Sequence, residues 1–329
     1  MKRARWGIIG PGTIARQFAT DTGLLDAPQI IQAVLGHSKN DTEEFAREFG
    51  IPQVFTDLEE FIEKAKIDIV YIATPHTLHY EQVLACLRHK IPVLCEKPIT
   101  INLEQCNELI AASHEHTTFL MEGLWIRFLP SVQQLLDIIE KGEIGRIVSI
   151  KAAMNFKAPY DPKSRLFNPD LGGGSLLDLG VYPIFLALLL LGKPDTIKAI
   201  GTLSDQRVDE DCTILFHYKS GQHAILESSL LSRAQAPAEI TGEKGTIRIL
   251  HPWFEKAAGI EVHLYDEGKV VYPCQWHGHG LQFEAAEALR CISNNKIASD
   301  KISHEFSRAM ISIMDEVRRQ IHVSYEMYE

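Results

Sequence analysis

The stretch Arg5–Asp21 reads RWGIIGPGTIARQFATD, and it passes from a short apolar segment through a glycine turn into helical spacing. Gly10 permits the turn, and Gly12 lets the backbone approach a pyrophosphate seated at the positive end of a helix. Ala15 is small enough for that helix to pack close on the strand, and Thr13 and Ile14 open it. A bare GxGxxA is a weak signal, but here it sits in a strand–turn–helix–strand unit, where its specific reading is dinucleotide binding. The competing reading is a glycine-rich turn with no ligand.

The same alternation continues downstream. QIIQAVLG, IDIVYIATP, IPVLCEKP and TFLMEGL read as strands, with helices predicted over NDTEEFAREFG, DLEEFIEKA, HYEQVLACLRHK and NLEQCNELIAASHEH. Strands alternating with helices imply an α/β, doubly wound parallel sheet, a Rossmann domain over residues 1–122. Residues 123–329 differ in character. RIVSIKAAMNF, TIKAIGTLS, DCTILFHYKSGQHAILESSLL, AEITGEKGTIRIL and GIEVHLYDEGKVVYP are extended stretches separated by glycine-bearing turns. They predict a second α/β domain with a large, mostly antiparallel open sheet, joined to the first by a tight hinge near residues 122–130.

Bulk properties agree with two domains and narrow the function. A chain of 329 residues exceeds a single typical core, and 45% hydrophobic with 23% charged residues is ordinary for a soluble protein. The net charge of −10 argues against a nucleic-acid partner, which needs clustered Lys and Arg. Six cysteines without a CxxC pair or zinc-like spacing predict free thiols in a reducing cytoplasm and no metal site. The N-terminal MKRARWGIIG resembles a signal peptide only in its basic residues, and IFLALLLLG from Ile184 falls short of the roughly 20 residues that cross a bilayer. A core helix and no membrane partner are expected.

A cofactor can be chosen from the end of the second strand. An NAD site usually carries an acid there for the ribose 2′-hydroxyl. Here the run is Gly36, His37, Ser38 and Lys39, and the first acid is Asp41. No carboxylate would repel a 2′-phosphate, and Ser38 and Lys39 could bind one, so NADP(H) is favoured and NAD(H) remains possible. Against this, Lys39 reads equally as a solvated loop residue.

The end of the next strand reads TPHTLHYE, placing Thr74, Pro75, His76 and His79 at the carboxyl edge of the sheet, where such folds hold ligand. Glu96 and Lys97 reach the same edge, and an ammonium group at the mouth of a buried strand needs a reason. Further on, NPDLGGGSLLDLGVYPIF sets three glycines before Asp178 and Tyr182. These two share a face if the stretch is helical, unless Pro183 starts a new helix. Hydride exchange at a carbinol carbon needs a group that exchanges the hydroxyl proton. Lys and Tyr titrate ordinarily near 10.4 and 10, but burial lowers a lysine and a neighbouring cation lowers a phenol. A Lys97–Tyr182 pair in a dry cleft would therefore form an acid/base unit. The bland reading is an exposed lysine, a half-buried tyrosine and an aspartate at a helix end.

Taken together, GIIGPGTIA, TPHTLHYE, CEKP, MEGLWIRFLP and GGGSLLDLGVYP resemble the glucose–fructose oxidoreductase/inositol dehydrogenase (Gfo/Idh/MocA) family. EGLWIRFLP and the tyrosine of DxGxY are similar to its dimeric dihydrodiol dehydrogenase branch, and GHGLQFEAAE is a looser match. The resemblance implies a lysine at Lys97, an aspartate at Asp178 and the acid/base at Tyr182, where many relatives carry histidine. It also implies that Trp125, Arg127, Phe156 and Trp253 border cofactor or substrate, and that His79 lies near the nicotinamide. His37 stands where NADP-dependent relatives often have Arg. The open sheet commonly serves as a subunit interface, so a homodimer or homotetramer is expected. The expected activity is an NAD(P)-dependent oxidoreductase for a sugar, polyol or vicinal diol. The alternatives are a non-catalytic dinucleotide-sensing regulator of the same fold, or another GxGxxG enzyme such as a methyltransferase, against which CEKP and DxGxY argue.

Overall fold

A computed structural model describes residues 3–26, 28–325 and 328; Met1 and Lys2 of the basic start lie outside the described residues. The chain divides into two compact units, residues 1–125 with 277–308, and residues 126–276 with 309–329. The first unit opens with β1 (Ala4–Ile9), α1 (Thr13–Thr22), β2 (Gln29–Leu35), α2 (Lys39–Phe49), β3 (Gln53–Phe55) and α3 (Leu58–Lys64). It continues through β4 (Ile69–Ile72), α4 (His79–Arg88), β5 (Val93–Glu96), α5 (Leu103–His116) and β6 (Leu120–Gly123). The strands form one parallel sheet in the order β3-β2-β1-β4-β5-β6. β4, β5 and β6 are buried along their whole length, as a sheet covered on both faces requires. β3 is three residues long, too short to show periodicity, and the alternation pattern passes over it. Caps mark the helix starts: the side chains of Ser38, Asp57 and Asn102 each accept from an amide of the following turn.

The second unit holds α6 (Pro130–Glu140), β7 (Ile147–Asn155), α7 (Val181–Leu191), β8 (Thr196–Leu203), β9 (Asp209–His217) and β10 (His223–Ser229). Two hairpins follow, β11 (Ala238–Gly242) with β12 (Gly245–Ile249) and β13 (Ile260–Leu264) with β14 (Gly268–Tyr272). Eight strands make one sheet in the order β14-β13-β12-β11-β7-β10-β9-β8. Every neighbouring pair is antiparallel except β7 with β10. Burial alternates along β9 and β12, and α7 is buried from Val181 to Leu188. Helical turns extend from Pro169 to Leu191, long and apolar enough by length and composition to cross a membrane, with 78% of that apolar window buried inside the protein. This is a core helix. All six cysteines are buried free thiols.

The chain then returns to the first unit with α8 (Leu281–Ser293) and the start of α9 (His304–Ile321). This corrects the expected division into residues 1–122 and 123–329. The return rests on Asp21, a fully buried residue in the last turn of α1. Its carboxylate accepts from the amides of His279, Gly280 and Leu281 at 2.8–3.0 Å, closing the N-terminus of α8, where Gln282 also accepts from the Gly280 amide. Gly278 has φ +76°, and a Cβ there would come within 2.7 Å of an Asp21 oxygen. The GHG motif is thus the seat of a buried carboxylate. A contact between positions so far apart in sequence leaves no periodic trace.

Candidate active site

In the first unit, the residues singled out from sequence gather at the carboxyl edge of the parallel sheet. Gly10 has φ +92°, and an added Cβ would meet the Ala73 carbonyl oxygen at 2.8 Å, so only glycine fits between β1 and β4. Gly12 precedes α1, and a Cβ there would meet nothing within 4 Å. The α1 N-terminus carries no side-chain cap and no acid in its first turn, leaving the amides after Gly12, at Thr13 and Ile14, to an anion. Ala15 is fully buried, as close packing of α1 requires. The turn fits a pyrophosphate: open where the ligand backbone would pass, and glycine-dependent where the protein closes on itself.

At the end of β2, His37 and Lys39 are exposed, and Lys39 lies 3.9 Å from Glu43 on the next turn. Ser38 has a structural task as well, capping α2 by accepting from the Asp41 amide at 3.4 Å. At the end of β4, the Thr74 hydroxyl donates to Gln82 at 2.7 Å, and Pro75 leads into a short turn, His76–Leu78. His76 is buried and its ring lies 6.0 Å from that of His79. His79 is fully buried, with Nδ1 2.8 Å from the Pro98 carbonyl and Nε2 2.9 Å from the Thr74 carbonyl. Burial pulls its pKa down, and Lys97 adds to this, while the two carbonyls oppose it. The ring braces the loop after β4 to the loop that carries Lys97.

Glu96, next to Lys97, is one of three buried carboxyls, and its charge acts on the other two. Glu96 takes the Tyr71 phenol on one oxygen and the Lys97 amide at 3.2 Å on the other. Glu122, on neighbouring β6, accepts from the Ile99 amide at 3.0 Å. Glu284, in the first turn of α8, is fully buried, and burial followed by the charge of Glu96 pushes its pKa well above the usual carboxylate range. Burial pushes Glu122 up to about 7, opposed by its bonds to Ser307 and Ile99. An unfolded glutamate ionises near 4.5 and the folded Glu122 near 7, so between these values the folded state holds the extra proton and stability falls as pH rises. Glu122→Gln lacks this group, and is expected to gain on wild type across that window by up to about 3 kcal/mol and keep the difference above it. Urea unfolding below, within and above the window measures this; a pH-independent difference refutes it.

In the second unit, Leu176–Gly180 forms a π-helical turn that runs straight into α7. Asp178 lies on the π turn, and Tyr182 lies four residues on, in the first turn of α7. Pro183 is the third residue of α7 and donates no N–H to the carbonyls of the π turn, so it falls where the helix changes from π to α spacing. π turns of this kind recur at functional sites. The three preceding glycines serve the local packing. Gly172 has φ +72°, a Cβ on Gly173 would meet two carbonyl oxygens at 2.9 Å, and one on Gly174 would meet Asp209 Oδ1 at 2.4 Å. Buried Asp209 accepts from the Ser175 hydroxyl and the Leu176 amide, both at 2.7 Å, and burial raises its pKa to about 6. Asp209 thus caps the turn that carries Asp178, and its position 31 residues past Asp178 hides it from motif reading.

Other placements differ from expectation. Trp253 is 1% exposed and donates its indole N–H to the Ala153 carbonyl at 2.8 Å, so it is a core residue of this unit and not a substrate wall. An aromatic beside Tyr182 is Phe254, with ring centroids 6.1 Å apart, one residue of register from Trp253. Phe156 is half exposed after β7. Trp125 is buried in the turn Trp125–Phe128; Arg127 is in the same turn, and its carbonyl accepts from Gln133. Asp178, expected to serve Tyr182 and Lys97, is also gripped by Arg165, a residue the motifs do not mark.

Comparison with known proteins places this geometry. Residues 4–124 match an oxidoreductase family with an NAD-binding Rossmann fold, and residues 132–248 match the GFO/IDH/MocA C-terminal domain. Over 98% of both chains, the protein is 30% identical to trans-1,2-dihydrobenzene-1,2-diol dehydrogenase of Mus musculus. The chain belongs to the GFO/IDH/MocA oxidoreductase family. It is also 32% identical to the scyllo-inositol 2-dehydrogenase (NADP(+)) IolU of Bacillus subtilis, again over 98% of each chain. Among solved structures it shares its fold with aldose-aldose oxidoreductase from Caulobacter crescentus, at TM-score 0.88 and 21% identity over 98% of each chain. The 3-ketoreductase KijD10 of Actinomadura kijaniata, solved with NADP and TDP-benzene, matches at TM-score 0.85 and 25% identity over 97% of this chain and 98% of that one. Membership agrees with the parallel sheet, the glycine turn and the eight-stranded sheet described above.

Proposed function

We propose that the protein is an NAD(P)-dependent oxidoreductase acting on a CH–OH group of a sugar, polyol or vicinal diol, or on the matching carbonyl, and that it prefers NADP(H). The observation that carries this is Lys97: a cationic side chain at the carboxyl edge of β5, on the same edge as a glycine turn built for pyrophosphate. The relatives named above, diol and inositol dehydrogenases, support the reaction class.

The cofactor would be held by the Gly10–Ala15 turn at its pyrophosphate, by His37, Ser38 and Lys39 at its 2′-phosphate, and by Thr74–His76 further along the edge. When bound, its nicotinamide supplies the hydride acceptor or donor. Lys97 polarises the substrate oxygen, Tyr182 gives or takes the hydroxyl proton, and Asp178 orients the pair. His79 and Glu96 position Lys97 through the Pro98 carbonyl and the Lys97 amide. Arg127 completes the cofactor residues, while Trp125, Phe156 and Phe254 supply apolar surface for a sugar face or ring. The outer face of the eight-stranded sheet, with Ile200 75% and Leu215 43% exposed on adjacent strands, suits a homo-oligomer interface.

A panel of polyols, aldoses and vicinal diols followed by NADPH absorbance, with NADH as the control, tests this reading. Turnover with a higher kcat/KM for the phosphorylated cofactor is expected. Saturable NADPH binding without turnover of any panel member would instead mark a dinucleotide-sensing regulator, and no NADPH binding would end the reading.

A further inference from the structure

Arg165 is thirteen residues before Asp178, in the loop between β7 and the π turn, and it reaches back to that aspartate with both arms of its guanidinium. Nη1 donates to Oδ1 at 2.9 Å and Nη2 to Oδ2 at 3.3 Å, a fork that fixes the plane of the carboxylate as well as its place. The Asp178 side chain is 12% exposed and that of Arg165 57%. The guanidinium side of the pair is in water and is screened there, so the pair's contribution to stability is modest even though the carboxylate is largely buried. What it does well is orient. The held carboxylate lies on a π turn, which Asp209 caps from below and which leads directly into the first turn of α7, where Tyr182 is.

From this geometry we infer that Arg165 is a positioning residue of the reaction, acting through Asp178. It holds the Asp178 carboxylate in one orientation, so that Asp178 presents a fixed acceptor to the reacting groups. The inference rests on the dehydrogenase reading above. It also assigns the loop 156–168 a task, since the residue that orients Asp178 is carried by the same segment as the half-exposed Phe156 and Tyr160. Substrate contacts made by those rings would then act on Arg165 and on the reaction.

The test is a double-mutant cycle on the full-length protein, with Arg165→Met, Asp178→Asn and the double variant, and with Arg165→Lys as the conservative change. Arg165→Met is expected to lower kcat/KM for the substrate about 30-fold, mostly in kcat, while KM for NADPH stays within about twofold. Arg165→Lys should recover only part, because a lysine holds a carboxylate at a single point. In the Asp178→Asn background, Arg165→Met should cost less than about twofold more. Thermal midpoints near wild type for all variants separate orientation from unfolding, and should Arg165→Met fail to fold, the Arg165→Lys pair within the cycle decides. Full additivity of the two single effects overturns the coupling through Asp178. Unchanged kcat/KM in Arg165→Met, with an active wild type, overturns the role of Arg165 and leaves the dehydrogenase reading in place. Absence of turnover in the wild type overturns both.

Discussion

Lys97→Met is expected to lower kcat by about 10³-fold or more, because the role proposed for Lys97 combines a charge that polarises the substrate oxygen with tuned proton exchange. Methionine keeps most of the length and apolar stem of lysine and removes only the ammonium group. Cofactor affinity should change little, because the proposed function gives the pyrophosphate and 2′-phosphate to the Gly10–Ala15 turn and to residues 37–39, on other strand ends. The fold should also hold. The backbone of residue 97 keeps its bond to Glu96, and the His79 brace reaches the Pro98 carbonyl, not the lysine side chain. Single-turnover kinetics with NADPH fluorescence titration separate the two quantities. Turnover within tenfold of wild type would remove Lys97 from the chemistry, and a parallel collapse of NADPH binding would make it a cofactor ligand instead.

Tyr182→Phe is the second large effect, with an expected loss in kcat of about 10²–10⁴-fold, the range for removing a positioned general acid or base. The change deletes one hydroxyl and leaves the ring, which packs against Phe254 in an otherwise buried position. KM should therefore move little. A phenol titrates ordinarily near 10 and a neighbouring cation brings it down, as the proposed acid/base role requires. The basic limb of the kcat/KM pH profile should accordingly be lost in Tyr182→Phe. Groups that act as a unit are non-additive, so Lys97→Met/Tyr182→Phe should be scarcely slower than the worse single variant. A double variant whose losses multiply would mean that the two residues serve separate steps.

Much of the fold was legible because its signals are local. The glycine turn, the alternation of apolar strands with capped helices and the glycine-punctuated strands of the second half each occupy a dozen residues or fewer. The positions proposed for the chemistry are local signals too: Lys97 and Tyr182 stand out as polar groups set at the ends of apolar segments. β3 escaped because three residues show no period, and Trp253 was misread because indole size suggests a binding wall as readily as a core.

What the amino-acid sequence determined by itself was therefore the parallel sheet, the nucleotide turn and the family, since periodicity and short motifs are properties of neighbouring residues. Tertiary structure alone decided the rest. It sent residues 277–308 back to the first unit through Asp21, put Asp209 under the π turn and Glu284 near Glu96, and clamped Asp178 with Arg165. In each case a buried or half-buried charge found its partner or its cost in a distant segment. The free energy of a desolvated carboxylate depends on what surrounds it in space, and chain order does not encode that.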